Sequence, residues 1–117
     1  MINIGNGKFY FYTSPVNMHK SFEGLSALAQ NAFPGELLTG AAFIFLNRFR
    51  DKIKLMFWVG DGYVILYKRL EKGRFLISSN GKVELTRREF LMLFEGIKPK
   101  HLDRRFSIKN CTKKIDF

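Results

Sequence analysis

The chain has 117 residues, 46% of them hydrophobic with thirteen Phe, and a formal net charge of +10. That length holds one hydrophobic core, and that apolar share excludes disorder over most of the chain. A single cysteine, Cys111, excludes an intrachain disulfide and fits a reducing compartment; no apolar stretch approaches the roughly 20 residues of a membrane span.

The N-terminus, MINIGNGKFYFY, lacks a basic segment followed by an apolar one, so no signal peptide is expected and the reading is cytoplasmic. Lys8 to Tyr12 alternates around Phe9 and Phe11 and predicts a short strand. From Asn17 to Phe33 the apolar residues Met18, Phe22, Leu25, Ala29 and Phe33 recur at helical spacing, with Asn17 as N-cap and Pro34-Gly35 as the stop. Gly24 inside that helix costs about 1 kcal/mol against Ala. Ala41 to Leu46 is continuously apolar and suits a strand covered on both faces.

Ile53–Val59 and Tyr63–Leu70 flank Gly60-Asp61-Gly62, which predicts a β-hairpin with an ambiguous turn register. Alternation gives one face Ile53, Leu55, Phe57, Val59, Val64, Leu66 and Leu70, interrupted by Lys68, and this reads as the core face. The other face carries Lys52, Lys54, Met56, Trp58, Tyr63, Ile65, Tyr67 and Arg69. It is aromatic near the turn and basic at the far end. Arg74–Ser78 and Lys82–Leu85 read as further strands joined by an Asn80-Gly81 turn. Thr86-Arg87-Arg88-Glu89 has the form of a capping box, with Leu85 and Phe90 placed as a hydrophobic staple. The helix it opens ends at Gly96, with Pro99 beyond.

The charge is partitioned. Residues 47–74 hold eight cations (Arg48, Arg50, Lys52, Lys54, Lys68, Arg69, Lys72 and Arg74) against three anions, and residues 98–117 hold seven against two. The remaining segments, 1–46 and 75–97, are each balanced, so the whole excess sits in two stretches. Clustered like charges on a strand pair repel unless an external anion meets them, so a polyanion is the expected partner. Trp58, Tyr63 and Tyr67 are candidates to stack on bases, although a helix laid over that face would bury them instead.

Catalysis finds little support. Metal-dependent phosphoryl chemistry needs several converging carboxylates. Asp61 sits in a turn, Asp51 and Glu71 lie among Arg and Lys as salt-bridge partners, and Glu89 belongs to the capping box. His19, His101 and Cys111 are not in metal-ligand spacing. No catalytic residue, metal or cofactor is expected.

The stretch Phe45, Asn47-Arg48, Arg50-Asp51, Ile53-Lys54, Trp58, Gly60-Asp61-Gly62, Tyr67-Lys68-Arg69-Leu70-Glu71, Gly73 and Phe75 closely resembles the TnpB accessory proteins of the insertion sequence 66 family. An earlier motif of that family is echoed by Asn17-Met18-His19-Lys20 and Phe22-Glu23-Gly24-Leu25, and a later one by Leu91, Leu93-Phe94 and Gly96-Ile97. The resemblance implies a small non-catalytic protein required beside a separate transposase, without assigning catalytic residues. From the order of elements and the charge pattern, the chain is expected to be α+β: a mostly antiparallel sheet of five to six strands with two packed helices, residues 1–97 forming one compact domain and 98–117 a basic C-terminal tail. The expected function is DNA binding through phosphates in transposition. The alternative is a subunit that docks on the transposase without gripping DNA.

Overall fold

A computed structural model of the chain describes residues 7–77, 81 and 83–95. The elements follow as β1 (Phe9–Phe11), α1 (Phe22–Ala32), β2 (Ala42–Leu46), β3 (Lys52–Trp58), β4 (Tyr63–Arg69), β5 (Glu84–Leu85) and α2 (Arg87–Glu95). The five strands make one sheet in the order β4-β3-β2-β1-β5. Only β1 and β2 run parallel, and α1 supplies the crossover that a parallel pair requires. The other pairings are antiparallel, so the α+β expectation is met with five strands.

Both faces of this sheet are covered, one helix to each. On one face Phe9, Ile44, Leu55 and Phe57 pack with Phe75 and with Phe90 and Leu93 of α2. Phe9 and Phe90 stack with centroids 4.5 Å apart. On the other, Phe43, Phe45 and Met56 pack with Leu25 and Ala29 of α1. All five residues of β2 are buried, as its unbroken apolar run requires of a strand covered on both faces. The second hairpin face is thus a second core along much of its length. Met56 is fully buried, and Ile65 and Tyr63 pack against α1's cluster.

The hairpin turns on two central residues. Trp58 pairs with Tyr63, the Val59 N–H donates to the Gly62 carbonyl at 2.9 Å, and Gly60 takes φ 102°. Gly60, not Asp61, supplies the positive φ, which resolves the register. The capping box forms in full. The Glu89 N–H donates to Thr86 Oγ1 at 3.1 Å, and the Thr86 N–H donates to Glu89 Oε1 at 2.8 Å.

Several expectations are corrected. Helix α1 starts at Phe22, because Asn17 builds a turn of its own: its Oδ1 accepts the His19 N–H at 2.8 Å and its carbonyl accepts the Lys20 N–H. Phe22, placed at the helix mouth, is 45% exposed rather than buried. At Gly24, inside the helix, an added Cβ would stand 3.2 Å from the side chain of the exposed Lys20. Residues 74–77 form no strand, their anchor being the buried Phe75, whose N–H donates to the Arg50 carbonyl. Part of the Asn80-Gly81 turn, the Gly96 stop and the basic tail lie outside the described residues. Among the described residues no helix is long and apolar enough to cross a membrane.

Candidate nucleic-acid interface at the open end of the hairpin

The loop between β2 and β3 closes around one side chain. Asn47 Oδ1 accepts the N–H groups of Asp51 and Lys52, each at 3.0 Å, while its Nδ2 donates to Asp51 Oδ1 at 2.7 Å. The Asn47 N–H donates to the Lys52 carbonyl, and the Arg50 N–H donates to the Asn47 carbonyl. This tight closure drives Arg50 to φ 59°, the left-handed region that an L-residue other than Asn or Asp seldom occupies. Arg48, Phe49 and Arg50 all project into solvent, with Phe49 63% exposed.

The segment after β4 is fastened to this loop. The Leu70 N–H donates to the Asp51 carbonyl at 2.8 Å, and the Phe75 N–H donates to the Arg50 carbonyl. Lys52 pairs across the strands with Arg69. Exposed or half-exposed Arg48, Arg50, Lys52, Arg69, Lys72 and Arg74 therefore gather at the hairpin's open end, with Asp51 and Glu71 as the acids nearby in sequence. The Asn47 amide holds the Asp51 carboxyl below its ordinary value of 3.8; desolvation, the next largest effect, opposes it, and Lys52 and Arg69 add weaker lowering. Arg69 meets Glu71 at 3.1 Å and Lys52 meets Asp51 at 3.9 Å. Such exposed pairs contribute little and yield readily to a stronger anion.

Two of the eight cations read from the sequence do not belong to this surface. Lys54 is buried, at 9% exposure, and is the one buried charged side chain among the described residues. Its Nζ donates to the carbonyls of Met18 at 2.8 Å and Lys20 at 2.9 Å, and it lies 4.9 Å from the Tyr67 ring centroid. Lys68 Nζ donates to the Phe94 carbonyl at 2.7 Å in the last turn of α2, where a cation also meets the negative end of the helix dipole. The expectation that both would lie open on a positive surface is corrected. Each lysine is instead tied to backbone carbonyls of a neighbouring element.

Of the three candidate aromatic contacts, only Tyr67 stands near the cations. Trp58 and Tyr63 pack edge to face at 5.0 Å beside the hairpin turn, about 20 Å along the strands from the Lys52–Arg69 pair. Tyr67 is 53% exposed and opens onto a groove of about 600 Å³ between the 15–19 turn and the 47–49 loop. Met18, His19, Arg48, Phe49 and Lys52 line it as well. Sequence reading missed Phe49. Its signal was an aromatic set between two arginines in a loop, where no core position requires it. Among the described residues no three of His, Cys, Asp and Glu gather as metal ligands.

An uncharacterized protein of Sinorhizobium fredii, y4jC, is 28% identical over 103 residues, covering 86% of this chain and 87% of that protein. No solved structure matches the chain. The family model for IS66 Orf2-like protein matches residues 7–104, a span containing the 47–75 loop and hairpin, both helices and the turn that Lys54 fastens, and the chain belongs to this family of insertion-sequence accessory proteins.

Proposed function

We propose that this protein is a cytoplasmic, non-catalytic accessory factor in transposition that grips DNA through phosphates at the open end of the hairpin, beside a separate transposase. The carrying observation is the gathering of Arg48, Arg50, Lys52, Arg69, Lys72 and Arg74 by backbone hydrogen bonds from Leu70 and Phe75. Arg50 strengthens the reading. An arginine held at φ 59° costs roughly 1–2 kcal/mol that glycine would avoid, and such strain is retained where a side chain's position matters. Lys54 and Lys68 serve the fold, and their neighbours carry the phosphates.

No recognition helix is evident in this reading, since the buried residues of α1 and α2 face the sheet and the cations lie on loops and strand ends. Contacts of that kind position DNA without specifying sequence. The test is a binding series on duplexes of the mobile element's ends and of scrambled sequence across increasing salt. Tight binding at low salt, similar for both duplexes and lost as salt rises, is the expected result. Reversal of Arg48 and Arg50 to Glu should weaken both duplexes alike. A protein that ignores DNA at every salt yet copurifies with the transposase would transfer the function to docking.

A further inference from the structure

The groove beside the arginine loop differs in chemistry from the cationic surface it adjoins. Two aromatic rings, Phe49 and Tyr67, are more than half exposed at its walls, while Arg48 and Lys52 stand at the same site. Exposed rings are not placed there to complete the core, which is already covered on both faces of the sheet. We infer that this groove receives an unpaired nucleotide base, so that the protein prefers DNA carrying a single-stranded tail over fully paired duplex. The inference rests on the phosphate-binding reading above and adds the form of DNA that is bound.

Four features point to a base. A base inside a duplex has its faces occupied by its stacked neighbours, so only an unpaired one can lay a face on Phe49 or Tyr67. The groove's volume of about 600 Å³ is within the range of small-molecule sites and suits one nucleotide, not a helix. Its walls are also held in place. Lys54 lies against the Tyr67 ring and fastens the Met18 and Lys20 carbonyls to the sheet, so floor and wall share one buried pin. Arg48 and Lys52 supply positive charge where the phosphodiester of that nucleotide would pass. An acidic peptide with an aromatic anchor is the competing occupant. It is less well suited, because the Met18 carbonyl, at the groove wall where an extended chain would pair, is taken by Lys54.

The test measures fluorescence anisotropy of full-length protein with four labelled probes. These are a blunt duplex, the same duplex with a short single-stranded tail, that tailed duplex with abasic sites throughout the tail, and an acidic peptide containing one Phe. The tail should raise affinity about tenfold over the blunt duplex. The abasic tail carries the same phosphates and should fall short of that gain. Tyr67→Ala should abolish the base-dependent gain and leave blunt-duplex affinity unchanged, with Tyr67→Phe retaining it. Phe49→Ala offers a second, independently folded check of the same loss. Equal affinity for tailed and abasic probes, with the blunt duplex still bound, overturns the inference and leaves the phosphate reading standing. Failure to bind any DNA probe overturns both. Peptide binding that depends on Tyr67, without a base-dependent gain, assigns the groove to a protein ligand and also overturns it.

Discussion

Lys54 and Arg50 lie four residues apart and illustrate opposite uses of a positive charge. Lys54 is drawn inward, where its ammonium donates to the carbonyls of Met18 and Lys20. Hydrogen bonds to a charged group are worth about 1.5–3 kcal/mol each. Lys54→Ala should therefore lower stability by roughly 3 kcal/mol in urea unfolding, while Lys52→Ala, two residues away on a half-exposed side chain, should stay within about 0.5 kcal/mol. Equal midpoints for the two variants would show that the pin carries no load. Arg50 is pushed outward on a backbone that favours glycine. Arg50→Gly relieves that conformational cost but gives the unfolded chain more freedom, two effects of about 1 kcal/mol that oppose each other. The melting temperature should barely move while low-salt DNA affinity falls. A large drop in melting temperature would mean that the side chain, and not the backbone alone, holds the loop.

The 47–51 loop is the smallest unit in which sequence motif, strain and charge come together. Its closure depends on Asn47, and the ionised Asp51 carboxylate accepts the Asn47 amide. A carboxyl with a lowered folded pKa stabilises the native state above its unfolded value, near 3.8, and that contribution disappears as pH falls through the lower folded value. An NMR titration should place the Asp51 midpoint below the ordinary carboxylate range and return it toward that range in Asn47→Ala. An unshifted wild-type midpoint would detach Asp51 from the loop's closure. The hairpin, the capping box and the fully covered β2 were legible because each rests on residues adjacent in sequence: Gly60-Asp61, Thr86 with Glu89, and the run Ala42 to Leu46. The burial of Lys54 was not. Its partners lie 34 and 36 residues away, on a turn whose docking depends on where α1 crosses the sheet. Strand alternation placed Lys54 and Tyr67 on one face, but it cannot say which half of that face a helix will cover. Phe49 escaped for a different reason: thirteen phenylalanines make a core residue the default, which outweighed its setting between two arginines in a loop.

Across the whole chain the positive charge falls in two blocks, and they are separable by experiment. The first contributes six cations gathered at the hairpin's open end, after Lys54 and Lys68 are assigned to the fold. The second, residues 98–117, holds seven cations against two acids. If about five cations of the intact protein contact phosphates, the logarithm of affinity should fall with the logarithm of salt at a slope of about −4 to −5. Each phosphate contact removed lowers that slope by roughly 0.9. A chain ending at Ile97 keeps α1, β1 to β5 and α2, and with them both cores, so it should melt cooperatively near the full-length temperature. The slopes then divide the work. A truncated protein with an unchanged slope places the phosphate contacts at the hairpin alone, and one whose slope shrinks by half or more places most of them in the final twenty residues. The first outcome, joined to loss of binding in the Arg48 and Arg50 reversal, is the one expected if the geometry of the 47–75 surface determines how DNA is held. Full binding by the reversed protein, abolished only by truncation, would remove the hairpin from the DNA contact and leave its gathered cations to another anion.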